Sequence, residues 1–178
     1  ITMIGATPMM GSAETMLPRD FEYMDRARVL TATGIVYSDL GENETAVALL
    51  EEAIRVYEPT GYKAGQTTTL TFLAENLALS GDENGARQRY AQALDLARSI
   101  NDKFRVGNVF EGLGLLDHRA GQFRDAIDRY RRAILTYRSV GVRIPMAEML
   151  LANAHREIGE YDRAESLYRA AIARNREI

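Results

Sequence analysis

Four glycines, Gly41, Gly81, Gly121 and Gly159, stand 40, 40 and 38 residues apart and carry the same neighbours with them. Five residues after each is an alanine: Ala46, Ala86, Ala126 and Ala164. Seven further on is another: Ala53, Ala93, Ala133 and Ala171. Between them sits a large residue, Leu50, Tyr90, Tyr130 or Tyr168. Seven before each glycine is a small one, Gly34, Ala74, Gly114 or Ala152. A period of this size, kept four times, is the mark of a solenoid. Each unit reads as two amphipathic helices, neither of which can bury its apolar face alone. Packed helices lie about 8–10 Å apart, and small residues at the contact favour the close end of that range.

The clearest unit is Gly112 to Ile134, a helix, a turn at Gly121 and a second helix. The turn glycine can take the left-handed backbone that ends a helix. Glu42, Asp82, Gln122 and Glu160 follow the glycines, where the positive end of the next helix favours them. Glu51/Arg55, Asp125/Arg129 and Glu165/Arg169 are spaced to pair on exposed faces. The helices are expected at about 20–40 and 43–57, 63–80 and 83–100, 103–120 and 123–140, and 142–158 and 161–176. Pro59 and Gly61 stop the second of them.

These residues resemble the tetratricopeptide-repeat pattern over about residues 24–178, with repeats at about 24–61, 62–101, 102–141 and 142–178. The usual period is 34 residues, and the longer one here resembles a variant seen in bacterial regulators and signalling adaptors. The resemblance implies an all-α fold, a right-handed α-α superhelix of four helix-turn-helix repeats. The aromatic that the family carries three residues after the small one survives only as Tyr37; Leu77, Asp117 and His155 replace it.

Residues 1–18 match no repeat. They hold Met3, Met9, Met10 and Met16, and Gly5, Pro8, Gly11 and Pro18 break any regular helix. One reading is a linker. The other is a segment lying on a groove or an end surface, because thioether side chains fill irregular apolar gaps. At the other end, the last helix has no polar helix after it to cover Leu167, Ala170 and Ile172. Repeat arrays normally end in a polar cap, so either the native chain continues or this end pairs with a second molecule, as a homodimer would.

Composition removes several functions. A net charge of -3 gives no general attraction to nucleic acid or anionic lipid. No apolar run approaches the roughly 20 residues of a membrane span. The absence of cysteine excludes disulfides and thiolate metal sites and fits a cytoplasmic protein. Basic residues are nearly all arginine, which points to a GC-rich, bacterial source. His118 and His155 have no partners in ligand register, so neither a metal nor another cofactor is expected. No nucleophile stands with a base and an orienting group, so the chain is not expected to be an enzyme. Gly112 and Gly114 lack the preceding strand and third glycine of a dinucleotide loop.

What remains is the groove. In the family that this chain resembles, the first helix of each pair lines the concave face. The inward positions then hold Arg28, Thr31, Ile35 and Asp39; Thr68, Thr71 and Glu75; Asn108, Glu111, Leu115, His118 and Arg119; and Met146, Met149, Asn153 and Arg156. This mixture suits an extended peptide or a partner helix, read by hydrogen bonds and a few apolar anchors. Thr31 and Ile35 stand where the chaperone-binding members carry lysine and asparagine, so a chaperone C-terminus is not the expected partner. The resemblance implies a protein-interaction scaffold, one segment of a larger bacterial regulatory or signalling protein. The alternatives are the inducer-sensing region of a transcriptional activator and a self-association module.

Overall fold

The structure, a computed structural model, describes residues 18–175, with side chains from 21 to 173. The methionine-rich segment, apart from Pro18, lies outside the described residues. Eight helices follow one another: α1 Pro18–Asp39, α2 Asn43–Tyr57, α3 Lys63–Leu79, α4 Glu83–Ser99, α5 Lys103–Arg119, α6 Phe123–Arg138, α7 Pro145–Glu157 and α8 Tyr161–Asn175. There is no strand among the described residues.

The helices are cut to length by a backbone device that recurs about every twenty residues. Left-handed residues stand at Gly41, Gly61, Gly81, Asn101, Gly121, Gly141 and Gly159. At Gly121, with φ +73°, its N–H donates to His118 O at 3.0 Å and the next N–H, of Gln122, reaches Asp117 O at 2.9 Å. Those two bonds use carbonyls that a helix end leaves orphaned. The turn inside each hairpin and the turn between hairpins thus share one mechanism, except at Gly61, where a short 3-10 turn over Glu58–Thr60 intervenes. Of the four polar residues after the hairpin glycines, Asp82 caps its helix, accepting from the Gly85 N–H at 2.8 Å. Glu42 and Gln122 make no side-chain cap.

Packing follows the repeat register. The alanines at 46, 53, 86, 93, 126 and 133 are fully buried. Leu50, Tyr90 and Tyr130 are buried between them. Gly34 and Gly114 receive Leu50 and Tyr130 so closely that a Cβ at 114 would stand 2.5 Å from the Tyr130 ring. Burying one such side chain contributes roughly 1.5–3 kcal/mol.

Consecutive helices pack throughout. The odd-numbered helices also touch one another, α1 with α3, α3 with α5 and α5 with α7. The even-numbered helices stand farther apart, bridged by long side chains such as Glu51 and Arg89 at 3.9 Å. The odd helices therefore form the tighter, inner layer, and the groove lies along them. Two of the anticipated surface pairs take other partners: Glu51 faces Arg89, and Arg129 turns inward to Asp117. Glu165 and Arg169 do pair, at 2.7 Å.

Two of the three positions that lost the family's aromatic hold buried polar groups with partners, whereas Leu77 packs half-buried against the core. Asp117 is 2% exposed and pairs with Arg87 of the preceding hairpin. His155 is buried, its Nδ1 2.7 Å from Glu160 Oε2.

Candidate functional site

Two adjoining hollows lie between α3 and α5. The first, of about 170 Å³, is lined by Thr68, Thr71, Phe72, Glu75, Arg105, Asn108, Glu111, Gly112, Leu115 and Tyr137. The second, of about 200 Å³, shares Glu75, Gly112 and Leu115 with it and adds Tyr90 and Arg119. Seven of the groove residues anticipated from sequence thus come together: Thr68, Thr71, Glu75, Asn108, Glu111, Leu115 and Arg119.

The others sit elsewhere. Thr31 is buried in the α1–α3 contact, its hydroxyl 2.9 Å from Thr69 Oγ1 and 2.8 Å from Ala27 O. Arg28 is exposed, 3.5 Å from Asp25 and 6.0 Å from the Tyr62 ring centroid. Ile35 is half-buried and Asp39 exposed. His118 packs edge-on against Phe123, with centroids 5.2 Å apart. Met146 and Met149 are exposed, Asn153 accepts from the Tyr168 hydroxyl, and Arg156 pairs with Glu157 at 2.8 Å. None of these residues lines either hollow.

The electrostatics of the hollows are unusual. The side chain of Glu75 makes no hydrogen bond among the described residues. Burial, then the neighbouring Glu111 carboxylate, pushes its carboxyl up to about 7, against a smaller opposing pull from Arg119. Burial also raises Glu111, partly offset by a hydrogen bond from Tyr137. The Tyr137 hydroxyl lies 2.7 Å from Asn108 Oδ1 and 3.0 Å from Glu111 Oε2. It has one proton to donate, so the two acceptors compete for it. Arg105 is committed: it pairs with Asp102 and donates from Nε to Thr68 Oγ1 at 3.1 Å. Arg119 has no ion pair among the described residues and is exposed at the groove's edge. Among those residues no group of three or more His, Asp or Glu could hold a metal ion.

The tetratricopeptide-repeat profiles match residues 26–58, 65–139 and 112–177. The chain is a tetratricopeptide-repeat protein. No curated protein matches it in sequence. Among solved structures it is similar to BtubC from P. vanneervenii, at 18% identity and TM-score 0.72, covering 83% of this chain and 62% of that one. The tetratricopeptide domain of Arabidopsis FLU aligns at 22% identity and TM-score 0.60, covering 65% of this chain and 99% of that one. A Rap protein complexed with competence and sporulation factor aligns at 17% identity and TM-score 0.79, covering 84% of this chain and 42% of that one. The chain therefore spans about three-fifths of BtubC and two-fifths of the Rap protein, and these likenesses establish the fold.

The tetratricopeptide register accounts for two of the groove residues that sequence reasoning missed. Phe72 and Gly112 occupy one equivalent place, nine residues before their turn glycines. Tyr90 and Tyr137 belong to the outer helices α4 and α6, yet both reach the inner layer. They do so through gaps left by glycine. A Cβ at 112 would stand 2.5 Å from the Tyr90 hydroxyl oxygen, and one at 107 would stand 2.5 Å from the Tyr137 ring. The available signal was the pair of α5 glycines at 107 and 112, which the repeat pattern does not require. No helix among the described residues is long and apolar enough to cross a membrane.

Proposed function

We propose that this tetratricopeptide-repeat chain is a protein-interaction module that takes an extended peptide segment of a partner along α3 and α5. We place it within a larger bacterial regulatory or signalling protein. The observation that carries the reading is the pair of adjoining hollows. At about 170 and 200 Å³ each falls short of the 300–1,000 Å³ usual for a small-molecule site. Each suits one side chain. Two in a row along a groove suit two side chains of an extended segment, whereas a metabolite would have to span both. A Rap protein of similar fold is complexed with competence and sporulation factor, which supports a binding role for a fold of this kind.

Selection of a random-peptide library against the protein tests this, with a photo-crosslinking amino acid at position 115. Enriched peptides that crosslink there, and lose affinity on Leu115→Trp, are the expected result. Peptides that bind but neither crosslink at 115 nor respond to that substitution overturn it. So does a melting shift with a small metabolite alongside no peptide enrichment.

A further inference from the structure

The groove of this protein contains an electrostatic arrangement that a generic peptide site does not need. Two carboxylates, Glu75 of α3 and Glu111 of α5, face one cavity without a cation between them. The nearest guanidinium in that cavity, Arg105, is already paired with Asp102. Arg119, the other cation near Glu75, stands exposed at the edge of the neighbouring hollow. Around the pair the fold places acceptors and underused hydroxyls. Tyr137 has two acceptors for its one proton. Tyr90 is 2% exposed and lines the hollow beside Glu75, yet its hydroxyl makes no hydrogen bond among the described residues. A buried phenol normally finds a partner. Here Gly112 keeps the space in front of that oxygen clear, since a Cβ there would stand 2.5 Å from it.

Resting on the peptide-binding reading above, we infer that the α3–α5 groove is selective for a lysine or arginine side chain, held between the carboxylates of Glu75 and Glu111 with the Tyr90 hydroxyl within reach as a further acceptor. Volume and charge agree on this occupant. A cavity of about 170 Å³ takes one long side chain. Its aliphatic stem would lie on Phe72 and Leu115, and its head would supply donors to a site rich in acceptors. An acidic or purely apolar side chain would leave the half-buried Glu75 carboxyl without a partner and Glu111 with only the Tyr137 hydroxyl that Asn108 also claims, which is unfavourable. The site also couples binding to protons. The groups facing Glu75 are Glu111 and Arg119 of α5 and Tyr90 of α4; those facing Glu111 are Glu75, with Tyr130 and Tyr137 of α6. Free, the pair holds a proton on Glu75 up to pH about 7. A bound cation favours the ionised pair and expels it, so affinity rises with pH through that region.

The test uses the peptides recovered by the library selection, with N-acetyl-lysine amide and N-acetyl-norleucine amide as small probes followed by NMR. The inference expects every groove-crosslinking peptide to contain a basic residue whose replacement by norleucine weakens binding about tenfold or more. It expects Glu75→Gln/Glu111→Gln to weaken binding comparably while leaving the circular dichroism unchanged. It expects the lysine probe, and not the norleucine probe, to shift the Leu115 methyl signals, more strongly above pH 7 than below. Glu75→Gln should flatten that pH dependence. Groove-crosslinking peptides without a basic residue, or indifferent to the double glutamine variant, overturn this inference and leave the peptide-binding reading standing. Failure to crosslink any peptide at 115, with no response to the lysine probe, overturns both.

Discussion

The carboxylate of Asp117, 2% exposed in α5, lies 2.6 Å from Nη1 of Arg87 in α4, so a charge inside the third hairpin is neutralised by the second. Its other oxygen faces Arg129 Nε of α6 at 3.5 Å. Three helices from two repeats meet at one side chain, at a place where α3 carries Leu77. Removing one partner of a buried pair typically costs about 3–5 kcal/mol, because a charge is left without compensation. With Arg129 still present, Arg87→Met is expected to cost about 3 kcal/mol in chemical denaturation. Asp117→Leu should cost about 1 kcal/mol or less, since both guanidiniums reach water and leucine already serves in the equivalent place. Equal costs for the two variants would show that this pair does not hold the hairpins together.

Gly112 and Tyr90 make a second prediction. Glycine inside a helix normally costs about 1 kcal/mol relative to alanine, so Gly112→Ala should stabilise unless its Cβ collides. That Cβ would stand 2.5 Å from the Tyr90 hydroxyl and 2.6 Å from the ring. Overpacking of this kind costs typically 1–3 kcal/mol. The substitution is therefore expected to lower stability in the native chain and to raise it in a Tyr90→Leu background. A double-mutant cycle read by urea denaturation checks the sign reversal.

Asn101 is the one non-glycine residue at positive φ among the described residues, at +54°, in the same backbone role as Gly141. The left-handed region costs an ordinary side chain roughly 1–2 kcal/mol, and asparagine less. Asn101→Gly should leave stability equal or up to about 1 kcal/mol higher, and Asn101→Ala should lower it by about 1 kcal/mol. Thermal denaturation at one fixed pH orders the three proteins. An alanine variant as stable as the glycine variant would refute the cap.

Glu75 makes stability depend on pH. Its folded value, about 7, lies above the ordinary 4.5. Below the ordinary value the carboxyl is protonated in both states and carries no penalty. Between the two values the unfolded chain ionises while the folded one keeps its proton, so stability falls as pH rises. Above about 7 the loss is complete. The shift alone corresponds to on the order of 3 kcal/mol, and water at the groove mouth reduces this to on the order of 1–2 kcal/mol. Glu75→Gln should therefore match the native chain in mild acid and exceed it by that amount in mild alkali. Denaturation midpoints across this range give the comparison.

Much of the fold was legible because its rules are local. The alanines at 46, 86, 126 and 164 each sit where a helix–helix contact has no room for more, and a period exposes such positions without any three-dimensional knowledge. The turn glycines announced themselves in the same way, though Asn101 did not, since asparagine takes the left-handed backbone without the glycine that marks it. The groove was legible as a row of first-helix positions. Thr31 shows the limit of that reading: its register points inward, but α1 and α3 approach closely enough to bury it against Thr69. Tyr90 and Tyr137 show the opposite limit. Their register assigns them to the outer layer, and only the missing side chains at Gly112 and Gly107 let them reach the inner one.

The sequence by itself determined that this chain is a stack of four hairpins, because a repeated pattern of small and large residues can be satisfied only by a repeated contact. Tertiary structure alone decided which residues share a cavity and in what ionisation state. Register fixes the face a side chain occupies, whereas the distance between neighbouring helices fixes whether that face is open or closed. That distance, together with the water it excludes, set Thr31 apart from Thr71 and turned two ordinary glutamates, Glu75 and Glu111, into a coupled pair.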